Sequence, residues 1–155
     1  MDERGRVVRL RPKAISEAIP QQAQGERVTT GVGEKFVEAL VNKDRDALLS
    51  MLSPKVKMRG MAPGRSWESH DATTLVDDIL LGDFFGPGTD IEELSWARFG
   101  TIVDKSSASY YLRMRQGDQR IDCEQHAFFD VDGGVIYGLH LACSGFTPVP
   151  RAAGE

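Results

Sequence analysis

The residues best placed to do chemistry lie in the last third of the chain, QRIDCEQHAFFDVDGGVIYGLHLACSGF, residues 119–146. Two imidazoles, His126 and His140, share even numbering with the carboxylate of Glu124. A histidine facing a histidine, with Glu124 two residues away on the same side, makes a coupled titrating cluster. The carboxylate favours one imidazolium, and mutual repulsion disfavours two. One neutral ring near pH 7 then abstracts a proton, while the charged one donates to a developing oxyanion or a leaving hydroxyl. Tyr110 or Tyr111, on the preceding strand, adds a neutral donor, and Gly138 leaves room for a ligand ring. These groups suit proton transfer without a cofactor, provided that they share a cavity.

Their positions depend on one long hairpin. Asp132-Gly133-Gly134 tolerates positive φ in a tight connection, and both flanks are rich in aromatic, β-branched and Leu residues. Pairing Val131 with Val135 predicts Cys123 opposite Cys143 and His126 opposite His140, the cysteines and the histidines on opposite faces. The face with Cys123, Gln125, Ala127, Phe129, Leu139, Leu141 and Cys143 is nearly all apolar, and burial at roughly 25 cal/mol per Å² favours turning it toward the helices. The histidines then lie in solvent or across a dimer seam. The catalytic alternative has the even-numbered face lining the cavity.

Upstream, Phe36, Val37, Leu40, Val41, Leu48, Leu49 and Leu52 recur at helical spacing from Gly33 to Leu52, interrupted at Asn42-Lys43-Asp44. This predicts two helices, with Asp44 as N-cap of the second. Lys55 to Met61 alternates as a half-exposed strand. A loop with Pro63, Gly64, Trp67 and His70 follows, its Trp and His available as a lid. Helical spacing returns over Asp71–Leu81 and stops at Gly82. Two further strands, Ile91–Val103 and Ser107–Arg115, precede the hairpin. Phe36, Met58, Phe84, Phe85 and Trp96 suit an aromatic-walled pocket and equally suit plain core.

Composition bounds the class. A chain of 155 residues, 41% hydrophobic, forms one domain with a sizeable core. Residues 1–28 carry six basic and four acidic side chains, net +2, leaving −6 on the remainder of a chain of formal charge −4. The expected division is a flexible arm over 1–28, a domain over 29–148 and a tail over 149–155. An acidic body argues against nucleic acid. No apolar run approaches the roughly 20 residues of a membrane helix, and nothing near the start reads as a secretory signal. A soluble cytoplasmic protein is expected, with no membrane partner and its two cysteines as buried thiols rather than a disulfide. No metal-ligand spacing occurs, and no metal or cofactor is expected.

Phe36-Val37-Glu38-Ala39-Leu40, followed by Asn42-Lys43-Asp44-Arg45-Asp46-Ala47-Leu48, resembles the helix, polar turn and second helix of the nuclear transport factor 2-like superfamily. That superfamily includes the SnoaL-like polyketide cyclases and ketosteroid isomerase. Phe128-Phe129-Asp130-Val131-Asp132-Gly133-Gly134-Val135-Ile136 is similar to its penultimate strand and turn. The resemblance, over residues 30–146, implies an α+β fold: a cone-shaped, curved, mixed or antiparallel sheet wrapped around N-terminal helices, with an apolar pocket and homodimers through the outer sheet face. It implies ketosteroid isomerase machinery poorly. Phe36 stands for that enzyme's helix tyrosine, Met58 falls on or near its strand aspartate, and Gln125 or His126 replaces its protonated aspartate. An acidic base of SnoaL-like cyclases falls at about the level of His126.

Two expectations follow. One is a cofactor-independent enzyme (isomerase, cyclase, dehydratase or lyase) acting by acid/base chemistry on an aromatic, steroid-like or polyketide-like molecule. Its catalytic groups are His126, His140, Glu124, Tyr110 and Tyr111, and its pocket is lined by Phe36, Met58, Trp67, His70, Phe84, Phe85, Trp96 and Gly138. The other is a non-catalytic protein that binds an apolar ligand or serves as a dimeric scaffold.

Overall fold

Apolar spacing and polar breaks cut the first described stretch into two helices, as the sequence predicts. The computed structural model describes residues 27–102 and 105–149. The expected arm lies outside them except for residues 27–28, and the expected tail except for Val149. Helix α1 spans Arg27–Val41 and buries Phe36, Val37, Ala39, Leu40 and Val41. The turn that follows it passes through Lys43, whose φ of 53° lies in the left-handed region. Lys43 Nζ donates to the carbonyls of Gly86, at 2.8 Å, and Thr89. Those bonds tie the turn to a distant loop and offset the cost of about 1–2 kcal/mol for a left-handed residue with a side chain. Asp44 caps α2, Arg45–Met51, by accepting from Ala47 N at 3.1 Å.

Strand β1, Leu52–Ala62, follows α2 directly. Pro54 is tolerated because ladder pairing with the neighbouring strands is absent over residues 53–56. The expected loop from Pro63 to His70 is mostly a strand. Pro63 and Gly64, with φ of 77°, make a turn, and β2, Arg65–Ser69, pairs back on β1. Helix α3, Thr74–Phe84, has the wide i→i+5 winding, and Asp71 holds its start through Thr74 N at 2.7 Å. Gly82 lies inside it rather than ending it. A Cβ there would stand 2.7 Å from the Asp77 carbonyl oxygen, so the wide turn needs a glycine.

Then come β3 (Asp90–Ile102), β4 (Lys105–Gln116), β5 (Gln119–Asp132), β6 (Val135–Cys143) and the short β7 (Thr147–Pro148). The spatial order is β2-β1-β6-β5-β4-β3, with β7 beside β5. All pairings are antiparallel except β1 with β6, which makes the curved, open sheet mixed. Helix α1 packs on β3 and β4, and α2 on β1 and α3. No helix among the described residues is long and apolar enough to cross a membrane.

The hairpin register departs from the expected one. Gly133 and Gly134, with φ of 60° and 83°, form a two-residue turn, and Val131 pairs with Ile136 rather than Val135. A bulge at Tyr137 then shifts the ladder again, so that Asp130 meets Gly138, Phe128 meets His140 and Gln125 meets Cys143. The carboxylate of Asp130, ion-paired with Lys105, occupies the space over Gly138 that a Cβ would need. The expected His126–His140 and Cys123–Cys143 partners are therefore each displaced by two residues. Parity survives this shift, because an offset of two keeps each side chain on its own face.

Burial fixes which face is inside. Cys123, Gln125, Ala127, Phe129, Leu139, Leu141 and Cys143 are buried, while Glu124, His126 and Phe128 are half-exposed and His140 is exposed. Exposing Phe129, Leu139 and Leu141 instead would forfeit about 1.5–3 kcal/mol each, more than a hydrated imidazole gives back.

Candidate functional site

Among the described residues Ser69, Thr89, Glu93, Ser95 and Gln125 are the buried polar side chains, and a chain of polar groups runs through Gln125 inside the sheet. Tyr110 of β4 and Gln125 of β5 are register partners with no solvent exposure, and the phenol donates to Gln125 Oε1 at 2.7 Å. Gln125 Nε2 donates to Cys143 Sγ at 3.4 Å, and the backbone N–H of Gly145 reaches the same sulfur at 3.4 Å. Cys123 Sγ lies 3.6 Å from Cys143 Sγ. The two sit diagonally across β5 and β6, and both are free thiols.

These contacts divide the protons unequally. The hydrogen bond from Cys123, and then those from Gln125 and Gly145, lower the Cys143 thiol to about 6 against the opposing effect of burial. Cys123, as the donor, is pushed far up by that bond, by burial and by the charge on Cys143. Burial, followed by the nearby sulfurs, raises Tyr110 well above the ordinary phenol range. The interior thus holds two sulfurs of unequal acidity, Cys143 the more acidic, beside a neutral phenol and an amide. Among the described residues the amide nitrogen of Gln125 has a single, soft acceptor, a low return for burying so polar a group.

A cluster of aromatic rings gathers around Phe84 and Phe146. Phe146, three residues beyond Cys143, contacts Phe84 and Phe85 with ring centroids 5.7 and 5.8 Å away, and Phe84 meets Trp67 edge-on at 4.8 Å. Trp67 is latched from outside: its Nε1 donates to Asp83 Oδ2 at 3.1 Å, Arg65 donates to that oxygen at 2.8 Å, and the guanidinium stacks over the indole at 4.7 Å.

The expected site residues divide between the two faces. Phe36, Met58, Phe84, Phe85 and Tyr110 are interior, with Trp67 at the rim. Phe36 packs edge-on against Phe129 at 5.0 Å. His126, His140, Glu124, Tyr111 and Trp96 are on the other face, and Gly138 lies beneath Asp130. His126 has its own partners there, Ser109 Oγ at 2.8 Å on Nδ1 and Glu124 Oε2 at 2.7 Å on Nε2. Its side chain is 43% exposed, and its register partner is Ala142 rather than the expected His140, which stands opposite Phe128. Tyr111 donates to Asp122 Oδ2 at 2.5 Å, and burial, with that bond, raises it to about 12. Trp96 stacks loosely on Tyr111. His70 follows β2 in solvent, 3.6 Å from Glu68. It shares an open outer groove of about 690 Å³ with Arg59, Lys57, Glu68 and His140.

The sequence places Gln125 only at the level of a family aspartate and gives Cys123 and Cys143 no chemical role, although Gln125 is the one amide in an apolar row of β5. Ser109 carried no signal, since its meeting with His126 is set by the β4–β5 register. Among the described residues no three His, Cys, Asp or Glu side chains stand close enough to hold a metal ion.

No family model matches the sequence, and no curated protein matches it. Solved structures do share its fold. A protein from Xanthomonas campestris classed as a polyketide cyclase is 19% identical, with 76% of this chain and 90% of that one covered and a TM-score of 0.59. A second protein so classed, from Pseudomonas putida, is 15% identical over 72% and 88% of the two chains, TM-score 0.57. An epoxide hydrolase-like protein of M. tuberculosis is 18% identical over 73% and 80%, TM-score 0.56.

Proposed function

We propose, from the nuclear transport factor 2-like fold that this chain has, that it is a cofactor-independent enzyme which removes a proton next to a carbonyl in a small apolar molecule. The observation that supports this is the buried row of Tyr110, Gln125 and Cys143, in which a phenol, an amide and a sulfur held below the ordinary thiol range are joined by hydrogen bonds. Separation of the ring cluster at Trp67, Phe84, Phe85 and Phe146 admits the ligand. The Cys143 thiolate takes the α-proton. The amide N–H of Gln125 and the hydroxyl of Tyr110 meet the enolate oxygen, which replaces the sulfur and Gln125 Oε1 as their acceptor. Isomerisation, aldol-type cyclisation and loss of water β to the carbonyl all begin with this step. The fold relatives classed as polyketide cyclases are consistent with it.

Deuterium uptake at the α-carbon tests the step without knowledge of the natural substrate. A panel of cyclic and aromatic ketones in heavy water is followed by mass spectrometry. At least one member is expected to exchange faster with protein than with buffer, and Cys143→Ala to slow it by about 100-fold or more. Exchange at the buffer rate throughout, or an unimpaired Cys143→Ala, would overturn the proposal.

A second reading, a dimeric or ligand-binding scaffold, is supported by the outer face. Met61 and Tyr137, 63% and 52% exposed, line the two open grooves flanking His140.

A further inference from the structure

We infer that Cys123 and Cys143 form a reversible two-electron redox site, which a hydroperoxide converts to a disulfide. Three independent features carry this. The sulfurs are 3.6 Å apart and in contact, so closing to the roughly 2 Å of a bond takes side-chain rotation with a small adjustment of the backbone between these diagonal neighbours. The two N–H donors on Cys143, from Gln125 and Gly145, are placed to stabilise negative charge on that sulfur and not on its neighbour. Cys143 also ends β6, where Gly145, with φ of 94°, turns the chain away, so the backbone on that side can adjust.

The steps balance. The Cys143 thiolate attacks one oxygen of the hydroperoxide, the S–O bond forms as the O–O bond breaks, and the departing hydroxide or alkoxide takes a proton from solvent. This leaves a sulfenic acid on Cys143. The Cys123 sulfur then attacks it, the S–S bond forms and the S–O bond breaks. The leaving hydroxide collects the Cys123 proton as water. Two electrons have passed from the sulfur pair to the peroxide. The selectivity is built in: the sulfur that the N–H groups serve is oxidised first, and the thiol in contact with it resolves the product before further oxidation. The disulfide would draw Cys143 away from Gln125 and free the amide. A dithiol reductant reverses the reaction.

The chain has two cysteines, so an intramolecular disulfide has one possible identity. Full-length protein is treated with hydrogen peroxide, alkylated with iodoacetamide and analysed as intact mass and non-reduced peptides. The expected result is loss of two hydrogens, no alkylation, a cross-linked peptide joining Cys123 to Cys143, and return of two alkylation sites after dithiothreitol. The native chain should react at least tenfold faster than the same chain in denaturant. Cys123→Ala should instead accumulate a sulfenic acid that dimedone traps. Two alkylatable thiols after peroxide, bonds only between chains, or equal rates for native and denatured protein would overturn the inference, and none of these readouts involves a ketone. Failure of deuterium exchange with formation of the disulfide would sink the proposed activity alone.

Discussion

Removing the Gln125 amide strands the Tyr110 hydroxyl in a dry interior. Gln125→Leu is expected to cost about 1–3 kcal/mol in urea unfolding, whereas Gln125→Leu with Tyr110→Phe, which removes both partners, should recover most of it. A double variant no more stable than the single one would show that the hydrogen bond at 2.7 Å is not what the amide contributes. The sulfur governs pH. The Cys143 thiol is held below its ordinary range, at about 6, so the thiolate is present above that pH and protonated below it. Exchange activity should therefore be level at neutral pH and fall as pH drops through about 6. A profile that follows an ordinary thiol, rising near 9, would contradict the assignment. The imidazoles should matter little: His126→Ala loses half-exposed partners worth about 1 kcal/mol or less and leaves exchange unchanged. Loss of exchange in that variant would return the chemistry to the outer face.

At the scale of elements, the wide winding of α3 hangs on a single missing methyl. Gly82→Ala is expected to destabilise by about 1–3 kcal/mol, since the Asp77 carbonyl that the Cβ would strike belongs to the backbone and has nowhere to go. Gly88→Ala, with open space around it, should stay within about 0.5 kcal/mol. Equal melting temperatures for the two would remove the packing argument. Sequence pattern disclosed both N-terminal helices, the Asp44 cap and five of the strands, because each rests on local periodicity. It misjudged β2, whose RSWES has no apolar alternation and which exists through pairing with β1. Gly82 reads as a stop by composition, yet a glycine is also what a wide turn requires. The hairpin register failed for a similar reason. Nothing local in Val135-Ile136-Tyr137-Gly138 announces a bulge, which depends on Asp130 and its ion pair with Lys105 across two strands.

For the whole molecule, the decisive question was which side of the sheet faces the helices, and area burial answers it. The apolar row on β5 and β6 made that side readable, and it carries the histidines outward. What the sequence withheld was the meaning of the exception within the row: Gln125 looks like an imperfection until Tyr110 and Cys143 are seen on either side of it. The outer surface has its own expectation. If its exposed Met61 and Tyr137 meet a second copy, sedimentation should show a concentration-dependent dimer that Met61→Glu and Tyr137→Glu dissociate while secondary structure is retained. A monomer at every concentration would dispose of the scaffold reading.

The parallel pairing of β1 with β6 has a consequence for how the chain comes into being. Leu52 and Ile136 are neighbours in the sheet but are separated by most of the domain in sequence. A nascent chain on the ribosome must hold β1 with one long flank unpaired until the final hairpin emerges. Closing so distant a contact is slow, because loop entropy is lost before the pairing rewards it. Synthesis halted anywhere before the turn at Gly133 should thus leave a sticky intermediate, one that invites chaperones or self-association rather than a half-built domain.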